Sequence, residues 1–234
     1  STMWKGIENM SNNSIVDIKS NSTIANMSEG VVVNLGKLNS QSSSYVNNYI
    51  SIQLNNMPST YLGFIKNCNF WTSNNSNLLA PYSNQTRGEH GIKITNCPNI
   101  TIGGNSNEKN NFENLYNGIY IKQNLSSNVI SNINTSYNTF KNIKEGSTLW
   151  GQSSPWQNPF NLDYRGCAIF GLNENLSHNI TLRHTGNNIS GTSTLTDFLD
   201  CQKAIIVNSF NTVIYANIAN IIDAGFLHYG CENH

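Results

Sequence analysis

The sequence predicts an all-β fold in which short parallel strands wind into a solenoid, and three observations lead to this prediction. The run Gly-Ile-Lys-Ile at 91–94 returns as Gly-Ile-Tyr-Ile at 118–121, and the pair Asn111-Phe112 stands between the two copies. Apolar and polar residues alternate in these runs, which is the period of a β-strand, and no stretch has the apolar period of a helix. A strand pair that cannot bury its apolar face alone must stack on copies of itself. The repeat therefore favours a solenoid over a compact globule.

The first strand of the repeat recurs along the chain, and glycine or alanine opens each copy. Its copies begin at 6–7, 30–33, 91–92, 118–119, 168–169, 204–207 and 225–227. These copies lie roughly twenty to sixty residues apart, whereas one coil of such a solenoid needs about twenty residues. We therefore expect the additional residues to leave the coils as loops.

A second strand follows several of these copies, and an asparagine precedes it. Its copies are the segments 99–102, 128–130, 179–182 and 211–214, which begin with Asn99, Asn128, Asn179 and Asn211. Asparagine tolerates the left-handed backbone conformation that a sharp corner between strands requires. We expect these asparagines to form the corners and, stacked on successive coils, to form ladders of side-chain amides.

The pattern resembles the right-handed parallel β-helix superfamily, which includes pectate lyases, tailspikes and many bacterial surface proteins, over essentially the whole chain. The resemblance implies a right-handed parallel β-helix formed by residues 1–234 as a single domain. The opening segment 3–7, with 21–24 and 30–31 after it, is similar to the large repeat proteins that Bacteroidetes export by the type IX secretion route. That narrower resemblance implies a protein that is secreted or held at the cell surface.

Composition agrees with a folded, nearly uncharged surface. Charged residues make up 11% of the chain and aromatic residues 10%, the formal net charge is zero, and about one residue in five is Asn, far above the average. The regular β-branched strands and the Phe and Tyr residues supply the burial that a disordered chain lacks. A neutral chain with few arginines has no basic stripe for nucleic acid. No apolar run reaches the roughly eighteen residues of a membrane span.

The two ends of the chain carry no recognisable cap. The sequence begins inside a repeat at Ser1 and stops at His234, soon after a new first strand. Solenoids need polar caps at both ends to stay soluble. We therefore expect this chain to be a fragment of a longer repeat protein, whose partners include other domains of the same chain, with any signal peptide or anchor outside this segment.

Five cysteines in a protein expected outside the cell raise the question of disulfides. Cys68 and Cys97 each follow a strand and an asparagine, which would place them on neighbouring coils, and Cys167, Cys201 and Cys231 lie near strand ends. Two interpretations stay open: small apolar fillers within the stack, or a bridge between neighbouring coils. The odd number leaves at least one thiol free or bonded elsewhere.

The sequence predicts neither a cofactor nor a metal site. It contains no Cys-x-x-Cys pair and no clustered histidines at the spacing of metal ligands. Backbone and Asn oxygens would bind Ca²⁺ without leaving a motif, so calcium is not indicated by the sequence but stays open.

Any binding chemistry is expected on two loop insertions, near 71–90 and 144–165, because solenoids carry their sites where loops leave one face. The two loops hold three of the four tryptophans, and both return to a first strand with one coil between them. Strands of successive coils stack about 4.8 Å apart, so the two returns should lie on the order of 10 Å from each other. With Tyr116 on the coil between them, the candidate residues are Trp71, Tyr82, Arg87, Glu89, Tyr116, Trp150, Trp156, Asp163, Tyr164 and Arg165.

Two interpretations of this corner stay open. Aromatic faces beside arginine and carboxylate groups suit a polysaccharide or a cell-surface glycan, because rings stack on sugar faces while polar groups bond hydroxyls or uronates. Alternatively, the aromatic rings fold over the bases of the loops and shield the coil edges, with arginine and aspartate paired locally.

The leading functional hypothesis is a non-catalytic stalk or adhesin segment with glycan contacts on the two loops. The alternative is a polysaccharide lyase that acts on a uronate polymer with Lys93, Lys122 or Arg165 as its base. A glycoside hydrolase is disfavoured because the five aspartates are scattered and form no carboxylate pair. The third hypothesis is a purely structural module that binds nothing. His184 is interpreted as a turn residue and not as a catalytic base. Fold alone does not choose among these functions.

Overall fold

The structure is a computed structural model that describes residues 1–73, 77–126, 128–145, 165–186, 197–215, 217 and 219–229. Within these residues the secondary structure consists entirely of β-strands. In chain order the strands are β1 (Trp4–Asn9), β2 (Ile15–Ile18), β3 (Thr23–Ala25), β4 (Met27–Asn34), β5 (Lys37–Gln41), β6 (Ser44–Val46), β7 (Ile50–Asn55), β8 (Gly63–Lys66), β9 (Asn69–Trp71), β10 (Gly88–Thr95), β11 (Asn99–Gly103), β12 (Asn111–Glu113), β13 (Leu115–Gln123), β14 (Ser131–Ser136), β15 (Thr139–Lys141), β16 (Cys167–Asn173), β17 (Ile180–Thr185), β18 (Phe198–Asn208), β19 (Asn211–Tyr215) and β20 (Ala219–Tyr229).

The strands wind into a parallel β-solenoid in which every third strand pairs with its counterpart on the next coil. The first sheet runs β1-β4-β7-β10-β13-β16-β18, with β20 added on β18, and the second sheet runs β2-β5-β8-β11-β14-β17-β19. The third sheet runs β3-β6-β9-β12-β15 and is completed by the first residues of β18, which then turns the corner into the first sheet. We number the coils by their strand in the first sheet, so that coil 1 contains β1, coil 2 β4, coil 3 β7, coil 4 β10, coil 5 β13, coil 6 β16 and coil 7 the second half of β18.

The predicted first strand is confirmed in all its copies, and they are aligned as the repeat requires. Ile92 lies opposite Ile119, Ile119 opposite Ile169, and Ile169 opposite Ile205. One copy escaped the sequence analysis, because β7 carries Ser51 where the other copies carry glycine or alanine. The wide gap between the copies at 30 and 91 therefore contains a complete coil as well as a loop.

A row of stacked aromatic rings lines the core along the third sheet. Tyr45, Phe70, Phe112, Phe140 and Phe198 stack in this order, with ring centroids 4.8, 4.7, 4.9 and 5.3 Å apart and interplanar angles of 9°, 7°, 11° and 6°. Near-parallel rings at this distance contribute packing energy beyond the burial of their area. Phe112 of the Asn111-Phe112 pair thus occupies the core position of the third sheet.

The small residues that open the first strands face this row of rings. A Cβ atom added to Gly91 would lie 2.7 Å from Cδ1 of Phe112, and one added to Gly118 would lie 2.7 Å from Cδ1 of Phe140. Gly91 and Gly118 are small because the rings of the third sheet occupy the space that a side chain would need.

The prediction for the second strand is correct at β11, β17 and β19 but wrong at 128–130. The register pairs Asn99 with Asn132 and Asn132 with Thr181, so the strand of this coil is β14, which begins at Ser131. The apolar pair Val129-Ile130 looked like a strand, but it precedes β14, whose inward residue Ile133 is buried. The strand is marked by the alternation in Asn132-Ile133-Asn134, which the apolar pair obscured.

Asparagines do occupy left-handed corners, although at other positions than predicted. Seven of those with φ between 52° and 60° close strands of the first, second or third sheet: Asn26, Asn47, Asn56, Asn67, Asn96, Asn114 and Asn142. The expected amide ladder forms at the end of the first-sheet strands, where Asn96 Nδ2 donates to Asn56 Oδ1 and Asn56 Nδ2 donates to Asn34 Oδ1, each at 3.3 Å. Asn99 and Asn211, by contrast, are the first residues of β11 and β19.

The cysteines in the described part of the chain are buried thiols that form no disulfide with one another: Cys68, Cys97, Cys167 and Cys201. Cys68 follows β8, whereas Cys97 follows β10, so the two lie at different corners of their coils. These four residues therefore act as small apolar fillers of the stack, and Cys231 lies outside the described residues. Burial raises the pKa of the Cys97 and Cys201 thiols to about 12.

Candidate functional site

The described ends of the two insertions lie at the corner between the third and first sheets. The first connects β9 to β10 and comprises residues 72–87, and the second connects β15 to β16 and comprises residues 142–166. Trp71, Glu89 and His90, which the sequence analysis assigned to the first loop, are strand residues of β9 and β10. The loop is shorter than predicted because strand pairing continues to its two ends.

Successive coils place one side chain each at this corner, two residues before the small residue that opens the first strand. Tyr49 of coil 3, Glu89 of coil 4 and Tyr116 of coil 5 are neighbours in the parallel register. The Glu89 N–H donates to the Tyr49 carbonyl oxygen at 2.6 Å. Parallel pairing therefore brings a tyrosine, a carboxylate and a second tyrosine into one row.

Arg165 reaches back along this row from coil 6 to coil 4. Its Nε donates to Oε1 of Glu89 at 2.9 Å, and its Nη2 donates to Oε2 of Glu89 at 2.7 Å. The guanidinium carbon lies 4.4 Å from the centre of the Tyr116 ring, on the coil between the two charged residues. A two-pronged ion pair over an aromatic face is the geometry in which arginine binds most strongly. Arg165 is thus held by the protein itself.

The first insertion adds a further ring to the row. Tyr82 stacks on Tyr49 with centroids 3.6 Å apart and an interplanar angle of 7°. The Tyr49 hydroxyl donates to Oε2 of Glu89 at 3.3 Å. Burial, together with the charge of Glu89, raises the pKa of Tyr49 to about 12. Tyr49 therefore stays protonated and serves as a donor to the carboxylate.

Arg87 ties the bases of the two insertions together. Its Nη1 donates to the Asn142 carbonyl oxygen at 2.5 Å, and its Nη2 lies 3.2 Å from Oδ1 of Asn142. Asn142 in turn donates to Oδ1 of Asn114, and Asn114 Nδ2 donates to the carbonyl oxygen of Thr72 at 2.9 Å. Burial lowers the pKa of Arg87. Both predicted arginines are thus hydrogen-bonded to protein groups.

The structure brings together five of the ten predicted residues: Tyr82, Arg87, Glu89, Tyr116 and Arg165. Trp71 lies elsewhere, on the outer face of the third sheet, and its side chain is 40% exposed. Trp150, Trp156, Asp163 and Tyr164 lie outside the described residues. At this corner Arg165 pairs with Glu89, and Arg87 is hydrogen-bonded to Asn142.

Tyr49 is the member of this corner that sequence analysis missed. The sequence did contain a signal for it, because Tyr49 lies two residues before Ser51. Glu89 and Tyr116 lie at the same distance before the glycines that open their own strands, Gly91 and Gly118. It was overlooked together with the strand β7. Asn142 and Lys203, whose Nζ donates to the Arg165 carbonyl oxygen at 3.4 Å, carried no sequence signal.

The three lysine and arginine candidates for a catalytic base are placed differently. Arg165 is paired with Glu89, and Lys122 forms an ion pair with Glu174 at 2.9 Å. Lys93 is half-buried on the outer face of the first sheet, between Gln53 and Tyr120 in the register. Lys93 is therefore the candidate that makes no ion pair with a described residue.

The interpretation of His184 as a turn residue is wrong. His184 is a fully buried residue of β17, and its Nδ1 lies 2.9 Å from Oγ1 of Thr135 on the neighbouring strand. It faces the rings of Phe140 and Phe198, whose centroids lie 6.4 and 5.5 Å away. The sequence did not reveal that His184 points inward, because its polar neighbour Arg183 suggested a turn. Arg183 is the outward-facing residue of the same strand.

Acidic residues are scattered over the described surface. Asp17 accepts a hydrogen bond from Asn39 Nδ2 at 2.7 Å, and Asp200 pairs with Lys144 at 2.7 Å. In the part of the chain that the structure describes, no three His, Cys, Asp or Glu side chains are grouped closely enough to hold a metal ion. The same residues include no helix with the length and apolar character that a membrane crossing requires.

No protein-family model, curated protein or solved structure matches this chain.

Proposed function

We propose that this chain is a non-catalytic segment of a secreted or cell-surface bacterial β-helix protein, which serves as a stalk or adhesive surface and contacts glycans. The observation that carries the proposal is the pairing of Arg165 with Glu89. A lyase of this architecture needs an unpaired basic side chain to abstract a proton. At this corner the basic groups instead join coils to one another. Pectate-lyase-like ancestry and export by the type IX route rest on the sequence resemblance and form part of the same proposal.

The glycan contact is proposed on the outer face of the third sheet, around Trp71. In the register Trp71 lies between Val46 and Glu113, and beside it runs a polar row of Asn69, Asn111 and Thr139. Asn111 Nδ2 donates to Asn69 Oδ1 at 2.8 Å, and Thr139 Oγ1 donates to Asn111 Oδ1 at 2.6 Å, so the row is ordered. A ring beside aligned amides and hydroxyls offers a sugar one stacking surface and several hydrogen-bonding groups.

The charge of this face favours a neutral glycan. The charges of Glu113 and Lys141 are paired with each other at 2.8 Å, and the residues of the polar row are uncharged. A uronate polymer would bring a negative charge on every repeat without meeting a free cation, so its charges would gain no binding free energy on this face. A neutral glycan carries no charges that need a partner there.

Binding to immobilised neutral and uronate oligosaccharides, followed by calorimetric titration of the hits, tests this contact. We expect Trp71→Ala to remove neutral-glycan binding, with a loss of about 1–3 kcal/mol for a stacked ring. Trp4→Ala is the matched control, because Trp4 is 75% exposed on β1 and lies away from the third sheet. Binding that survives Trp71→Ala, or that prefers uronates, would contradict the assignment.

The alternative is a polysaccharide lyase that acts on a uronate polymer. Lys93 favours it, since this side chain makes no ion pair with a described residue. Incubation of the protein with a panel of uronate polymers, with and without Ca²⁺, is expected to yield no ultraviolet absorbance from unsaturated products. Absorbance that appears with the wild type and disappears with Lys93→Gln would establish the lyase and refute the non-catalytic proposal.

A further inference from the structure

We infer that the corner between the third and first sheets holds a brace that couples coils which are not neighbours. In a solenoid each coil contacts only the coils beside it, so stability is a sum of coil terms and nearest-neighbour terms, and the ends open independently. A contact that passes over a coil adds a coupling of a different kind. Two sets of contacts at this corner do so, and they share Tyr49. This inference does not depend on the proposed function.

The first part of the brace is the described portion of the first insertion, residues 77–87, which we call the strap. From its attachment between coils 3 and 4 it reaches coil 1, where the Met3 N–H donates to the Ala80 carbonyl oxygen at 2.6 Å and Thr2 forms a parallel bridge with Ala80. Met3 and Leu78 are both buried. On coil 3 the strap places Tyr82 on Tyr49. The strap therefore joins coil 1 to coil 3 directly.

The second part is the group Tyr49, Glu89, Tyr116 and Arg165, which we call the clasp. Arg165 of coil 6 binds Glu89 of coil 4 across Tyr116 of coil 5, and Tyr49 of coil 3 donates to the same carboxylate. The Glu89 side chain is 13% exposed and that of Arg165 is 33% exposed, so water screens this pair less than it screens a surface pair. The clasp therefore connects coils 3 to 6.

The other ion pairs among the described residues lie within one coil or join adjacent coils. They are Lys5–Glu8, Lys5–Glu29, Lys66–Glu108, Lys122–Glu174, Glu113–Lys141 and Lys144–Asp200. Such pairs reinforce nearest-neighbour terms that the sheets already supply. In the described part of the chain, Glu89–Arg165 is the ion pair that passes over a coil.

The brace has a consequence for the first coil, in which three large apolar residues are exposed. Ile7, Ile15 and Trp4 are 42%, 58% and 75% exposed, so among the described residues this coil depends on its pairing with β4 and on the strap. The strap fastens Met3, directly before β1, to coil 3, and the clasp continues the connection to coil 6. Opening of the first coils is thus linked to a side chain five coils away.

Native-state hydrogen exchange of the whole chain, resolved by peptide, tests the brace with Arg165→Gln. We expect exchange in β7 and β4, two or more coils beyond Tyr116 and Arg165, to accelerate about tenfold, a size typical of coupled contacts. The matched control is Lys141→Gln, which breaks the ion pair between the adjacent strands β12 and β15. Its effect should remain within coils 4 and 5.

A double-mutant cycle of Glu89→Gln and Arg165→Gln supplies a second readout that does not depend on exchange. If the clasp acts as a unit, the double variant has a free energy of unfolding no lower than that of the less stable single variant. If the two residues act independently, the losses of unfolding free energy in the single variants add up in the double variant. A change confined to β13, β16 and β18 in Arg165→Gln, or additive losses in the cycle, would overturn the brace. Glycan binding at Trp71 is unaffected by either outcome, so failure of the brace is distinguishable from failure of the proposed function.

Discussion

At the scale of single residues, His90 and His184 are the buried groups whose protonation the fold opposes. Burial, with a smaller contribution from the positive charges of Lys93 and Arg165, lowers the pKa of His90 to about 3. Burial likewise lowers the pKa of His184 to about 4. Both imidazoles are therefore neutral in the folded protein at neutral pH.

These two pKa values predict an acid-sensitive fold. Above the unfolded value of 6.5, both histidines are neutral in either state and their contribution to stability is complete. As the pH falls below 6.5, the unfolded chain takes up protons that the folded chain refuses, so the free energy of unfolding decreases, by up to about 1.4 kcal/mol per pH unit for each histidine. Urea unfolding midpoints between pH 7.5 and pH 5 measure this slope.

The variant His184→Gln separates the two histidines. It removes one group from the linkage, so the pH slope between 6.5 and 5 should fall to roughly half, whatever its effect on stability at pH 7.5. A variant that keeps the full wild-type slope would show that His184 does not contribute.

The residue scale also shows why a charge-poor protein uses its charges at particular positions. The chain has 13 basic and 13 acidic residues. Exposed ion pairs such as Glu113–Lys141 contribute little, because water screens them and both side chains lose freedom. Glu89 and Arg165 form two hydrogen bonds and lie against the Tyr116 ring, so their contribution depends less on salt.

At the scale of strands, the fold is governed by the contact between the small residues of the first sheet and the rings of the third. A Cβ atom at Gly118 would lie 2.6 Å from the Ala168 carbonyl oxygen as well as 2.7 Å from the Phe140 ring. The backbone neighbour cannot withdraw without breaking the ladder between β13 and β16. This contact therefore sets the distance between the two sheets.

Substitution of Gly118 by valine is expected to destabilise the protein by about 2–3 kcal/mol, because extra atoms in a filled core force the backbone and rings apart. Thermal and urea unfolding followed by circular dichroism measure the loss. Thr101→Val is the control, since Thr101 lies on the outer face of β11 and such a change should stay within about 0.5 kcal/mol. If the two variants are equally stable, the close approach at Gly118 does not constrain the fold.

Strands also show where sequence reasoning was limited. The strand β7 was missed because Ser51 breaks the glycine and alanine pattern, and with it Tyr49 was missed. The strand β14 was misplaced because Val129-Ile130 is more apolar than Ile133 with its asparagine neighbours. In both cases the register with the adjacent coils determines which residues form the strand. A strand in a stack is selected by its fit to two neighbours and not by its own hydrophobicity alone.

At the scale of the whole molecule, the solenoid combines two kinds of stabilisation. Strand pairing and the stacked rings connect each coil to the next, and this part of the structure is repeated in every coil. The strap and the clasp each occur once and run parallel to the solenoid axis, along the corner between the third and first sheets. Strand pairing between neighbours alone would let coils open stepwise, whereas the brace couples the opening of coils that are not neighbours.

The candidate site was only partly predictable from the sequence. The one-coil separation between the loop returns placed Glu89, Tyr116 and Arg165 together, because parallel stacking has a fixed step. The sequence did not indicate that the Arg87 guanidinium would be hydrogen-bonded to Asn142, or that Trp71 would face outward from β9. Those outcomes depend on where the loops begin, which strand pairing decides.

The sequence by itself determined the strand period and the row of small residues that open the first strands, because both recur in successive coils and are selected by the same neighbours. The sequence also placed Glu89, Tyr116 and Arg165 at one corner, but only the tertiary structure decided which of their side chains form contacts. Glu89 and Arg165 are 76 positions apart, and no local preference connects them. They meet because the chain places one coil between them and a guanidinium can reach across it over a tyrosine ring.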